Sequence, residues 1–115
     1  MGLKSFLSVT VTAGVLFAVP ASLSARPAGD AAAGKEVFLK KCKACHGEDG
    51  QGNQGMAKLL KTTITPLDAA EVQSKSDADL KKIVTEGKDK MKPVKDVSGA
   101  DLDNVIAFVR SLKKK

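Results

Sequence analysis

Hydrophobic positions fall into two regimes along this chain. The first is continuous: after a single positive charge at Lys4, residues Phe6 to Val19 are uncharged and mainly apolar, and small residues follow at Ala21, Ser22, Ser24 and Ala25. A positive start, an apolar middle and a small-residue end make the three-part pattern of a secretory signal peptide, here over residues 1–25 with cleavage expected between 21 and 28. The apolar run is well short of the roughly 20 residues that a membrane-spanning helix needs. No cysteine stands near the cleavage region to receive a lipid. The expectation is therefore an exported, soluble, periplasmic chain without stable membrane insertion.

The second regime is periodic, and the period is helical. Asp30 to about Lys43 reads as a helix, with Asp30 as N-cap and Val37, Phe38 and Lys41 along one side. Gly47 to Gly55 holds four glycines with Asp49, Gln51 and Asn53 and predicts a loop that excludes a regular element. A short helical turn is expected at Met56 to Lys61. Thr65-Pro66-Leu67-Asp68 offers a cap, a proline at the first helical position and a first-turn acid, which predicts a small helix from Pro66 to about Val72. Ser76-Asp77-Ala78-Asp79 resembles a capping box; Leu80, Ile83 and Val84 follow at helical spacing, and Gly87 is a stop. The last helix is capped by Ser98, has Asp101 in its first turn and carries the apolar stripe Leu102, Val105, Ile106, Val109 and Leu112. Lys113 to Lys115 complement its C-terminal dipole. No run alternates with period two long enough to make a sheet, so the domain, residues 30–113, reads as all-α.

Composition sharpens this picture. A domain of this size buries a smaller fraction of its surface than a larger one and often relies on a disulfide, metal or cofactor. Beyond the expected signal there is no Trp and no Tyr, and the aromatics are Phe38 and Phe108 alone. Something besides side chains is expected to help fill the core.

The candidate chemistry is concentrated in Cys42-Lys43-Ala44-Cys45-His46, which holds both cysteines and the single histidine of the chain in five consecutive positions. Two thiols three positions apart on a helical turn are placed to add to the two vinyl groups of haem, and the next residue then presents an imidazole to the iron. Other chemistry uses parts of this motif. A thioredoxin-like pair would sit beside a βαβ pattern, which this chain lacks, and would not need His46. A structural zinc site wants four ligands, and no further Cys or His is present. A plain disulfide is chemically possible in an exported protein, but it closes a very short loop and leaves the aromatic shortage unexplained.

Over residues 30–113 the chain resembles the class I, mono-haem cytochromes c of the small bacterial exported type. That resemblance implies N- and C-terminal helices crossing around one covalent haem c. It places a glycine and an aromatic on the N-terminal helix, here Gly34 and Phe38, against an aliphatic and an aromatic of the C-terminal helix, here Val105 and Phe108. It implies thioether bonds at Cys42 and Cys45, and His46 and Met91 as the axial iron ligands. Met91 follows the stop at Gly87 in a charged loop with Pro93 two residues on, where the family carries its ligand; Met56, ten residues after His46, is expected in packing. The family often has a Gly-Pro pair whose carbonyl accepts from the ligand histidine. This sequence has Gly55-Met56 instead, and the family's ring-stacking Trp and Tyr are absent. Gln51, Asn53, Thr62 and Thr63 are the candidates to bind the haem propionates.

What the resemblance implies is a soluble one-electron carrier and not an enzyme. Two alternatives stand beside it: a haem-containing electron-entry subunit of a dehydrogenase complex, and a ligand-binding haem protein in which Met91 is displaced. Removing residues 1–26 takes away Lys4 and Arg26 and no acid, which lowers the net charge from +6 to +4. The basic bias survives. Lys40, Lys41 and Lys43 beside the cysteine motif and Lys88, Lys90, Lys92 and Lys95 around Met91 suggest docking to an acidic face on a redox donor or acceptor. Nucleic acid is a poor match, since acids interleave the lysines and no exposed aromatics are at hand for stacking. A monomer is expected.

Overall fold

Asp30 opens the first helix as its position predicts. Its carboxylate accepts from the backbone N–H groups of Ala32 at 2.8 Å and Ala33 at 3.3 Å, satisfying two donors that the first turn leaves free. Helix α1 then runs Ala31–Lys41 and breaks at Cys42, and the cysteine motif continues as a separate turn, α2, Lys43–His46. The chain goes on through α3 (Gln54–Leu59), α4 (Ala70–Gln73), α5 (Asp77–Glu86) and α6 (Gly99–Ser111). These come from a computed structural model that describes residues 29–114 together with residue 2 and residues 10–17. The expected signal peptide and cleavage region otherwise lie outside the described residues. Among the described residues there is no strand, and no helix is long and apolar enough to cross a membrane.

The helices at the two ends of the domain cross. α1 packs chiefly on α6, and the crossing is so close that a Cβ placed on Gly34 would lie 1.8 Å from the backbone oxygen of Asn104. Glycine is needed there for its lack of a side chain. The Asn104 side chain adds a tie, its Oδ1 accepting from the Asp30 backbone N–H at 2.8 Å. Below the crossing, Phe38 and Phe108 meet with ring centroids 4.9 Å apart and planes tilted by 51°, an aromatic geometry that adds to area burial. Phe38 and Val105 are 1% and 2% exposed, and Leu80, Ile106, Phe108 and Val109 complete the core.

Three local expectations need correction. α3 starts at Gln54, inside the predicted glycine loop, because the Asn53 side chain accepts from the Met56 N–H at 3.2 Å and caps a helix that tolerates Gly55. The helix expected from Pro66 begins only at Ala70. The Leu67 N–H donates to the Gly50 carbonyl at 2.9 Å and the Ala69 N–H to the Pro66 carbonyl at 3.1 Å, so residues 66–69 form a turn pinned to the earlier loop. Thr65 donates its hydroxyl to Glu71 at 3.2 Å instead of capping. Finally, Ser98 holds the N-cap position of α6 without a side-chain cap bond, whereas the Ser76 hydroxyl accepts from the Asp79 N–H at 3.1 Å and caps α5 as expected.

Long-range polar ties fasten the small elements to α6. Arg110 donates to the Gln73 carbonyl at 2.8 Å, to the Lys75 carbonyl and to the Asp77 carboxylate at 2.9 Å, clamping the α4–α5 connection. The Gln73 amide donates to the carbonyls of Leu67 at 2.8 Å and Val109 at 2.9 Å. One arginine and one glutamine thus replace a long helix between residues 60 and 76.

Candidate functional site

A cleft of about 330 Å³ opens over the inner face of α6, a volume in the range of cofactor and ligand sites. Val105, Ile106 and Val109 form its floor from α6, Phe38, Cys42 and His46 line it from α1 and α2, and Leu80, Ile83 and Val84 line it from α5. The walls are predominantly apolar. Apart from the Cys42 thiol and the His46 imidazole, the cleft's polar groups fall in three short stretches: Thr62, Thr63 and Thr65; Glu71 and Lys75; and Lys88, Asp89 and Lys90.

The cysteine motif enters this cleft through the helical turn α2. The His46 N–H donates to the Cys42 carbonyl at 3.0 Å, and the Gly47 N–H donates to the Lys43 carbonyl at 2.9 Å. Both thiols are free and half-buried. Burial, and after it the charge of the neighbouring Cys45, pushes the Cys42 thiol up to about 11. That is the reverse of what a nucleophilic or disulfide-exchanging cysteine requires, since those depend on a lowered thiol pKa. The thioredoxin-like reading also lacks its βαβ framework, since there is no strand among the described residues. Burial lowers the His46 pKa, so the imidazole is neutral at pH 7 and has a lone pair to give to a metal. No group of three or more His, Cys, Asp or Glu among the described residues is gathered to hold an ion, which leaves the zinc reading without ligands.

Met91 lines the same cleft from the loop between α5 and α6. The loop is held tightly. Lys88 and Met91 exchange backbone hydrogen bonds of 3.0 and 2.8 Å, and the Val94 N–H donates to the Val84 carbonyl at 2.8 Å, tying the loop's exit to α5. Gly87 makes the turn possible: its φ is +80°, and a Cβ there would lie 2.6 Å from the Met91 carbonyl oxygen and 3.0 Å from Pro93. Met56 is half-buried in α3 and takes no part in the cleft. The structure brings Cys42, His46 and Met91 to one cleft, with Cys45 on the same turn but not on its lining.

The candidate propionate partners divide. Thr62 and Thr63 line the cleft, placed there by Lys61, whose φ of 52° ends α3 and reverses the chain. Asn53 and Gln51 do not: Asn53 caps α3, and the Gln51 side chain hydrogen-bonds Asp68. Nor do the lysines form a single rim. Lys88 and Lys90 line the cleft, but Lys40 and Lys41 line a separate polar pocket with Asp96 and Asp101, where Lys41 pairs with Asp96. Lys43 pairs with Glu48 at 3.7 Å. Sequence reasoning missed Lys75, Glu71 and Thr65 on the cleft, since the turn that brings them together is fixed by Arg110 and Gln73 from α6, far away in sequence. The orphaned group is also new: His46 Nδ1 is buried with no hydrogen-bond partner among the described residues.

The site fits a haem. A predominantly apolar cleft carries a neutral imidazole, a thioether and the Cys42 thiol, with Cys45 on the adjoining turn, and its lining adds threonines and a lysine, a combination that suits a flat apolar macrocycle with two carboxylates.

A family profile described as "Cytochrome C oxidase, cbb3-type, subunit III" matches residues 29–109. Cytochrome c-554(547) of Halothiobacillus neapolitanus is 35% identical over 91 residues, covering 75% of this chain and all of that protein. The cbb3-type cytochrome c oxidase subunit FixP of Bradyrhizobium diazoefficiens is 50% identical over 34 residues, 30% of this chain and 12% of its own length. Among solved structures, the KustC0563 c-type cytochrome superposes with a TM-score of 0.59 at 28% identity, covering 70% of this chain and 98% of that one.

Proposed function

The chain belongs to the cytochrome c family, which supports a haem-based electron-transfer role, and we propose that it is an exported, soluble, monomeric one-electron carrier. In this reading Cys42 and Cys45 would hold one haem c through thioether bonds, and His46 and Met91 would be the ligands to its iron. The bound haem supplies a single reversible ferric–ferrous couple. Each residue then has a physical task. The neutral His46 is ready to ligate. The restrained turn Lys88–Met91 offsets the weakness of a thioether as a ligand by holding it in place. Phe38, Val105, Ile106 and Val109 exclude water, which favours the less charged ferrous state. With His46 and Met91 both as ligands, the chain would leave no coordination site for oxygen or substrate.

The single observation that carries this proposal is the convergence of the Cys42–His46 motif and Met91, two stretches 45 residues apart, on one predominantly apolar cleft. Carbon monoxide added to the reduced protein tests it. An unchanged spectrum is expected, and a ready shift would favour the ligand-binding alternative with displaceable Met91. A second reading, a haem-bearing subunit held in a larger complex, draws on the match to FixP and on the description of the family profile. It predicts a stable partner on gel filtration of native extract, where the carrier should run alone. Docking to an acidic face of a redox partner then rests on Lys88 and Lys90, with Lys92 and Lys95 beside them.

A further inference from the structure

Lys75 is the cation on the cleft that neither sequence pattern nor resemblance singled out. It is half-buried on the lining, in the connection between α4 and α5, and it makes no salt bridge among the described residues. Its position is not loose. The Lys75 N–H donates to the Val72 carbonyl at 3.1 Å, and its carbonyl accepts from the Arg110 guanidinium, so the backbone that carries the side chain is clamped from both sides. Thr62 and Thr63 reach the same cleft from the chain reversal at Lys61, and neither hydroxyl has a hydrogen-bond partner among the described residues. Thr65, by contrast, is engaged with Glu71. A half-buried lysine without a salt bridge, beside two threonine hydroxyls without a partner, on a predominantly apolar cleft calls for an anionic, hydrogen-bond-accepting group to meet them.

We propose that Lys75, with Thr62 and Thr63, is the receptor for a carboxylate of the bound haem, and that Lys75 is a positioning residue that raises the reduction potential. This rests on the haem reading above. A carboxylate opposite an ammonium is partly neutralised, and the ammonium disfavours the additional positive charge of the ferric iron. The other charged groups on the cleft lining act in both directions: Glu71 and Asp89 favour the ferric form, and Lys88 and Lys90 oppose it. Lys75 differs from Lys88 and Lys90 in belonging to the Arg110 clamp and not to the Met91 loop, so removing it leaves that loop's hydrogen bonds intact.

The test is the reduction potential of the holoprotein with Lys75→Gln, Lys75→Arg and Lys35→Gln, the last on the exposed side of α1 away from the cleft. Lys75→Gln should shift the ferric–ferrous equilibrium toward ferric by about three- to tenfold, a tenfold shift being about 59 mV for one electron. Lys75→Arg should keep most of the parent value, and Lys35→Gln should move it much less than Lys75→Gln. Thr62→Val should give a smaller shift of the same sign. A Lys75→Gln shift no larger than that of Lys35→Gln overturns the proposal, as does a Lys75→Arg shift equal to that of Lys75→Gln, which would mean lost packing and not lost charge. Intact mass separates this outcome from failure of the parent reading: a protein with haem attached but an unmoved potential refutes the carboxylate receptor alone, whereas a bare polypeptide refutes both.

Discussion

Gly34→Ala adds one methyl group at the crossing of α1 and α6, and the two available physical effects have opposite signs. On an open helical surface the change would stabilise by about 1 kcal/mol, the difference in helix propensity. Here the new Cβ would stand 1.8 Å from the Asn104 oxygen and 2.4 Å from its carbonyl carbon, both backbone atoms that cannot rotate aside. Restoring ordinary contact at about 3.4 Å would part the helices by about 1.6 Å at that point. Overpacking costs about 1–3 kcal/mol. A gap of that size also forfeits about a quarter or more of the contact energy of Phe38, Val105 and Phe108, roughly another 1–2 kcal/mol. After the propensity gain the net loss is about 1–4 kcal/mol, and for a domain of this size the middle of that range lowers Tm by roughly 10–20 °C. Urea denaturation of the holoprotein, read by far-UV circular dichroism, measures it, with Ala32→Gly on the exposed part of the same helix calibrating the propensity term. A Gly34→Ala protein as stable as the parent, or more stable, would refute the close crossing.

Met91→Ala should open the iron, lower the potential, abolish the far-red absorption that a sulfur–iron bond gives the oxidised protein and admit carbon monoxide or cyanide. Met56→Ala should do none of these and cost about 1–2 kcal/mol as a half-buried truncation, so optical titration of the two variants with cyanide distinguishes them. Asp68 is held below the usual carboxylate range by hydrogen bonds from Gln51 and then Lys114, which lies 3.1 Å away at the end of α6. A depressed folded pKa stabilises fully above the ordinary value of 3.8 and loses that contribution as pH falls through the folded pKa, so the Tm of the parent and of Asp68→Asn should converge at acid pH. Equal differences at pH 7 and pH 3 would contradict this. Electron transfer with an acidic partner should slow as ionic strength rises, and stopped-flow rates flat across salt would remove the lysines from docking.

Local chemistry was legible in the sequence wherever a side chain acts on its own helix. Asp30 and Ser76 cap the helices they precede, and Gly87 stops α5, because each satisfies or ends a nearby backbone pattern. The glycine at the crossing and the two phenylalanines were legible through resemblance, and the structure gives the reason, a backbone approach that only Gly34 permits. Pro66 misled because its local preference for a helix start lost to a contact with Gly50, sixteen positions back. Asn53 misled in the other direction, since a good cap outweighed the glycines around it. At the cleft, Thr62, Thr63 and Lys75 are assembled by a left-handed turn at Lys61 and by a guanidinium from α6. Arg110 reads in sequence as a helix-end cation, and nothing local marks it as the clamp on residues 73–77.

The account stands most directly on the intact mass of the purified mature protein, measured for the parent and for Cys42→Ser/Cys45→Ser. A parent mass heavier than its polypeptide by one haem, with the excess lost in the double variant, is the predicted result. A parent mass equal to the bare polypeptide, or lower by two hydrogens as a disulfide would make it, would contradict the central claim.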